Sequence, residues 1–218
     1  MIFLIKLIKM KTRFTQRFFL LFFLFLNLIH GYSQTATFSS TTSGDFDNPV
    51  GNPGSPWIII SGTDPDGIPD RYDEIIINVG DEITADASAI SEVSTFTNDG
   101  TLILNSTYEF RVWGSNNSSL SPLTSTNNGT ISGSGVLYFI TNNEFSNSGT
   151  IPSSEIKAGY GTTEFISDLT VNGRLYITSS GVFKVTSGNT LTINGKVYGL
   201  SGTSLINEGT MIVNDSRF

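Results

Sequence analysis

The sequence predicts an all-β chain: a right-handed parallel β-helix (a β-solenoid) with an N-terminal capping module, preceded by a signal peptide. Three observations carry this reading. The first is a short phrase, Asn then Gly then an alternating apolar run, that keeps returning. Its copies are Asn98-Asp-Gly100-Thr-Leu-Ile-Leu, Asn128-Gly129-Thr-Ile, Asn147-Ser-Gly149-Thr-Ile, Asn172-Gly173-Arg-Leu-Tyr-Ile, Asn194-Gly195-Lys-Val-Tyr and Asn207-Glu-Gly209-Thr-Met-Ile-Val. Successive glycines stand 29, 20, 24, 22 and 14 residues apart. A drifting period near twenty is too long for a hairpin and suits one coil of a solenoid. The second is strand-like alternation, as in Leu102 with Leu104, Leu137 with Phe139, Leu175 with Ile177 and Leu191 with Ile193. The third is the lack, beyond the leader, of any stretch of eleven or more with helical i, i+3, i+4 spacing.

Residues 1–33 read as a secretory signal peptide. Lys6, Lys9, Lys11, Arg13 and Arg17 form a positive leader, and Phe18 to Ile29 an apolar core of twelve residues. Gly31-Tyr32-Ser33 then places cleavage before Gln34. A membrane anchor needs about twenty apolar residues, so no stable span is expected after processing. All five leader charges are basic. The rest of the chain therefore holds seven Lys+Arg against 19 Asp+Glu, a formal charge of −12. That balance argues against nucleic acid as a partner, because phosphate binding rests on clustered Lys and Arg. The single histidine, His30, lies in the leader, and there is no cysteine. Ser-His-Asp, Cys-His and ordinary zinc sites are thereby excluded from the remainder. Stability must come from packing and backbone hydrogen bonds rather than disulfides.

From 34 to 90 the texture is that of a separate N-terminal β module. Polar residues from Thr37 to Pro49 precede Trp57-Ile-Ile-Ile60, and an acidic loop leads to Glu74-Ile-Ile-Ile-Asn-Val-Gly80 and Asp81-Glu-Ile-Thr84. β-branched residues concentrated between turn signals predict strands at Trp57–Ile60, Glu74–Val79 and Ile83–Ala85. Ser43-Gly44-Asp45-Phe46-Asp47-Asn48-Pro49, Trp57, Pro69, Asp73-Glu74-Ile-Ile-Ile, Gly80 and Ile83-Thr84 carry a family resemblance. Together they resemble the opening module of secreted, adhesin-like parallel β-helix surface proteins of gliding, type IX-secreting bacteria. The match covers about residues 38–86, and Phe46 stands where that module carries Trp. The resemblance implies a secreted or cell-surface location in a Gram-negative bacterium, and a surface role with no assigned activity. A C-terminal sorting domain, which such cargo carries, does not follow Arg217-Phe218. The chain is therefore expected to be the N-terminal part, or a short member, of that group.

Residues 91–218 are expected to form the coils. Leu102, Ile131, Ile151, Ile177, Ile193 and Ile212 should stack in inward columns about 4.8 Å apart. The Asn-Gly corners should align along one edge, in the left-handed backbone that both residues tolerate. Arg111 to Ser125, holding Trp113, Asn116, Asn117 and Pro122, reads as a projecting loop. A sandwich of antiparallel hairpins shows similar strands and turns; recurrence of one corner with the same neighbours favours the solenoid.

The densest chemistry-bearing stretch is Asp64-Pro-Asp66-Gly67-Ile-Pro-Asp70-Arg-Tyr-Asp73-Glu74. With Gly67 at the sixth position of a calcium loop, Asp64, Asp66, Asp70 and Asp73 fall at the third, fifth, ninth and twelfth. A Ca2+ ion wants several oxygens around one such turn. The phrase also resembles thrombospondin type 3 calcium repeats. Gly62 occupies the first position, and a solvated acidic turn is the alternative reading. Glu144, Glu155, Glu164 and Asp168, with Lys157 and Arg174, read as scattered surface charges rather than the converging acids of a polysaccharide lyase or hydrolase. Thr101, Thr130, Thr150 and Thr210 form a candidate ladder, interrupted by Arg174 and Lys196. Trp113, Tyr138, Tyr160, Tyr176 and Tyr198 are candidates to line a sugar groove. The expected role is a non-catalytic exported scaffold whose partner is an undefined surface ligand or glycan. The alternative is a carbohydrate-binding or carbohydrate-active protein on the same coils. Exposed rings in a row beside two convergent carboxylates argue for the alternative, and buried rings with scattered acids for the scaffold.

Overall fold

Strands one coil apart in sequence pair in parallel, and this pairing organises the chain. The computed structural model describes residues 35–86, 91–105, 109–115, 121–151 and 155–215. The leader at 1–33, Gln34, Asn116, Asn117 and Arg217-Phe218 lie outside the described residues. All the elements are strands, and among the described residues no helix is long and apolar enough to cross a membrane. They form a β-solenoid of about six turns with three faces. The first face is a nine-stranded sheet and the third a six-stranded one, whereas the second is split into four-stranded and three-stranded parts. One turn runs Thr95–Asn98 on the first face, Thr101–Leu104 on the second and Glu109–Val112 on the third. The next turn repeats the order with Leu123–Asn127, Thr130–Gly133 and Val136–Phe139.

A strand of four residues turns two side chains inward, and parallel register stacks them coil on coil. On the third face Phe110, Leu137, Ile156 and Leu175 stand in one buried column. On the second, Ile83, Leu102 and Ile131 do the same. Down the centre, Phe46, Phe110, Phe96, Phe145, Phe165 and Phe183 touch in sequence, with ring centroids 4.2 to 6.0 Å apart. Such pairs add about 0.5–1.5 kcal/mol each beyond the area they bury. Of the six predicted inward residues, Ile212 is the exception. In Thr210–Val213 it is Met211 and Val213 that continue the columns of Leu191 and Ile193, which leaves Ile212 44% exposed.

The coils start earlier than residue 91. Phe38 already pairs in parallel with Ile75, and Glu82–Ala85 with Thr101–Leu104. Ala36–Ser40 and Trp57–Gly62 are the only antiparallel strand pair among the described residues, at the N-terminal end of the first face. Trp57 turns inward between Phe38 and Phe46 and donates its indole N–H to the Phe46 carbonyl at 2.8 Å. The loop expected from Arg111 to Ser125 is shorter at both ends, because Glu109–Val112 and Leu123–Asn127 are strands.

The corners correct two expectations. Gly100, Gly129, Gly149 and Gly209 turn the chain from the first face to the second, whereas Gly173 and Gly195 turn it from the second to the third. The phrase therefore marks two edges. None of these glycines has positive φ. The demand on them is closeness: a Cβ on Gly129 would overlap the Gly100 carbonyl oxygen, and one on Gly195 that of Gly173. Asparagine ties the stack together. Asn98 Nδ2 donates to Asn127 Oδ1, and Asn127 Nδ2 to Asn147 Oδ1, both at 2.7 Å. On the other edge Asn214, Asn194 and Asn172 form the same ladder at 2.6 Å.

Candidate functional site

The five aromatic residues picked out in the sequence all fall on the third face or its edges. Tyr138, Tyr176 and Tyr198 alternate with inward neighbours such as Leu137, Phe139, Leu175 and Ile177, so they point away from the core. Tyr198 is exposed and Tyr176 half-buried, whereas Tyr138 is buried at 7% exposure. Parallel register aligns them with charges from intervening coils. The outward row reads Glu92, Arg111, Tyr138, Lys157, Tyr176, Tyr198, each opposite the next.

A hollow of about 750 Å³ lies over this row, lined by Glu109, Arg111, Trp113, Tyr138, Lys157 and Tyr160 among others. A smaller one of about 310 Å³, between Glu155, Arg174, Tyr176 and Tyr198, continues the face. Glu109 sits centrally and accepts from Lys157 Nζ at 2.6 Å and Arg111 Nε at 3.1 Å. Arg111 Nη1 also reaches Glu92 at 3.0 Å, and Arg174 pairs with Glu155 at 2.5 Å. The Lys157 ammonium lies 4.3 Å from the Tyr138 ring centroid, a cation–π contact. Three acids and three bases are thus paired across the face, with Lys196, just before its last strand, outside these pairs. Burial pushes the Glu109 carboxyl up, but Lys157 and Arg111 outweigh it and hold the group below the usual carboxylate range. Burial, followed by the Glu109 charge, pushes the Tyr138 phenol up.

The corner between third and first faces forms the rim. Tyr160 (φ 60°), Ser179 (φ 54°) and Ser180 (φ 65°) are the only non-glycine residues with positive φ among those described. Left-handed backbone costs an L-residue about 1–2 kcal/mol. Tyr160 and Ser179 both line the larger hollow, and Tyr160 N–H donates to the Ser179 carbonyl at 3.2 Å. The Tyr160 ring is 68% exposed, so burial does not account for its place. Next to it, a Cβ on Gly159 would lie 2.7 Å from the Tyr138 hydroxyl, so glycine leaves room for that ring. Two coils earlier along the same edge the Trp113 indole N–H is buried with no hydrogen-bond partner, and the Arg71 guanidinium lies 5.5 Å from its ring. Glu109, Arg111 and the strained corner escaped the sequence reading. Register and backbone angle are what mark them, and neither shows in a residue pattern.

The predicted calcium residues serve turns and a strap. Asp73 is fully buried, with Oδ1 accepting from Ala36 N–H at 2.7 Å and Oδ2 from Asp70 N–H at 2.8 Å. Asp66 and Asp70 each accept a backbone N–H two residues on, from Ile68 and Tyr72. Asp64 is pushed up to about 6 by burial and by the neighbouring Asp66 charge, and Asp73 to about 6 mainly by burial. Among the described residues, no group of three or more His, Cys, Asp or Glu is placed to hold a metal ion.

The charges read as scattered are ordered. Glu144, Glu164 and Lys184 stand opposite one another on the first face, with Lys184 Nζ 3.2 Å from Glu164 and 3.4 Å from Glu208. The threonines also align: Thr101 faces Thr130, whose Oγ1 is 3.2 Å from that of Thr150, and Thr210 faces Thr190. Arg174 and Lys196 do not interrupt them, since they follow the glycines of the other edge. The interruption is the split in the second face, a cleft of about 700 Å³ lined by Ser148, Thr150, Asp168, Thr170 and Thr190 among others. Its one carboxylate, Asp168, accepts the Thr190 N–H at 2.7 Å. Comparison of the chain with protein-family models, with curated proteins and with solved structures returns no match.

Proposed function

We propose that this chain is a non-catalytic, exported surface scaffold of the adhesin-like kind that binds carbohydrate on its third face. The observation that carries the reading is the outward row of tyrosines, interleaved in register with ion-paired Arg111 and Lys157. Sugar rings offer C–H faces that pack on aromatic rings and hydroxyl edges that hydrogen-bond to fixed charges. A concave strip holding both is the usual form of a small-ligand site. Glu109 favours binding over hydrolysis. A glycosidase acid must hold its proton near neutral pH, so its pKa is raised, whereas two cations keep Glu109 ionised. The leader and the family resemblance of residues 38–86 support export and surface display.

The test is a glycan array run with residues 34–218 and with a Tyr176→Ala/Tyr198→Ala variant, beside a hydrolysis screen on the same glycans. The reading expects binding without cleavage, lost in the variant. Release of reducing ends, or a variant that binds as the parent does, would contradict it.

A further inference from the structure

Resting on that reading, we infer that the third face takes an uncharged, extended oligosaccharide lying along the solenoid axis, with Tyr160 as a strained platform at its side. The direction follows from register. Tyr138, Lys157, Tyr176 and Tyr198 come from four successive coils and stand directly opposite one another. Coils are about 4.8 Å apart, so Arg111 to Tyr198 spans about 19 Å along the axis. A pyranose unit in an extended chain is close to one coil step in length, which sets the occupied strip at about four sugars. The larger hollow is lined by Arg111, Tyr138 and Lys157 of this row and the smaller by Tyr176 and Tyr198, its next two positions.

Charge selects the class. Acidic sugars need a cation free to meet a carboxylate. Arg111 is already held by Glu92 and Glu109, Lys157 by Glu109, and Arg174 by Glu155. Arg71, beside Trp113, donates to the Tyr72 hydroxyl and lies over the Trp113 ring, and Lys196, level with Arg174 at the edge of the face, lines neither hollow. Beyond the leader the formal charge is −12, which repels polyanions over a longer range. The paired groups still offer N–H donors and carboxylate acceptors to hydroxyls.

Tyr160 adds an independent sign. A bulky residue in the left-handed region is an outlier, and such outliers cluster at binding sites. Here the outlier is exposed, adjoins Ser179 with the same strain, and rims the hollow.

Calorimetric titration of residues 34–218 tests this with cellotetraose, mannotetraose, cellobiose and tetragalacturonate at low salt. We expect at least one neutral tetrasaccharide to bind about tenfold or more tighter than tetragalacturonate, and also tighter than cellobiose. Tetragalacturonate binding as tightly would overturn the inference while leaving carbohydrate binding intact. No binding by any of the four, together with a blank array, would remove the parent reading as well. Tyr160→Gly should lose about tenfold in affinity for the best tetrasaccharide without melting earlier, and Tyr160→Phe should retain affinity. Unchanged affinity in Tyr160→Gly would remove Tyr160 from the site, and an earlier melt would make it structural.

Discussion

Two corners of the same coil are built on opposite terms. Where the first face turns into the second, Gly100, Gly129 and Gly149 let successive backbones touch, and Asn98, Asn127 and Asn147 link their amides coil to coil. None of these six residues is left-handed, and where other coils turn left-handed at this edge they do so with glycine, at Gly80 and Gly188. Where the third face returns to the first, Tyr160, Ser179 and Ser180 hold positive φ without glycine's freedom. The first corner is shaped by stacking alone. The second accepts strain and exposes a large ring beside a hollow, a cost that stability does not explain.

The largest effect should come from crowding the stacking corner. Gly129→Ala drives a Cβ into the Gly100 carbonyl, and the coils must part. A loss of about 3 kcal/mol is expected, the upper end of overpacking costs, read as a lower urea midpoint. A midpoint within error of the parent would show that the corner has slack. Next comes Asn127→Ala, which leaves the amides of Asn98 and Asn147 each without one partner. About 1–3 kcal/mol should be lost, and Asn127→Asp should not restore it, since a carboxylate cannot donate to Asn147.

A third effect is on pH, and it contrasts the N-terminal acids with the third face. Asp64 and Asp73 titrate at about 6 in the fold and at about 4 when unfolded. Between those values the folded chain binds more protons, so their contribution to stability falls as pH rises from about 4 to 6. Glu109 has the opposite sign: its lowered pKa contributes stability above the usual carboxylate range that is lost as pH drops through it. Urea midpoints should therefore be higher at pH 5 than at pH 7.5 and fall again below 4. A steady rise from pH 4 to 7.5 would show that burial of Asp64 and Asp73 does not govern the profile.

Local pattern made the coils legible, because each Asn-Gly phrase is followed by its own alternating strand. The same pattern concealed which edge each phrase occupies. Gly149 and Gly173 look alike in sequence, yet one closes the first face and the other the second. Parallel register is the reason: Lys157 meets Glu109 across 48 residues, and loops of unequal length hide that count. Tyr138, Tyr176 and Tyr198 stood out in the sequence as candidates for a groove, but where their rings point was not legible there. Nor was the order of the charges between them, and Glu144 and Glu164 looked scattered although with Lys184 they form a column. Tyr160's backbone angle left no trace in composition at all.

Thermal unfolding of Gly129→Ala and Tyr160→Gly, side by side with the parent, tests most directly that one corner serves packing and the other a ligand. Glycine relieves left-handed strain worth about 1–2 kcal/mol at Tyr160, partly offset by its freedom in the unfolded chain. The account predicts opposite signs: a fall of several degrees for Gly129→Ala and an unchanged or higher midpoint for Tyr160→Gly. A comparable fall in both would mean that the Tyr160 ring holds the coils together, and the contrast between the corners would be lost.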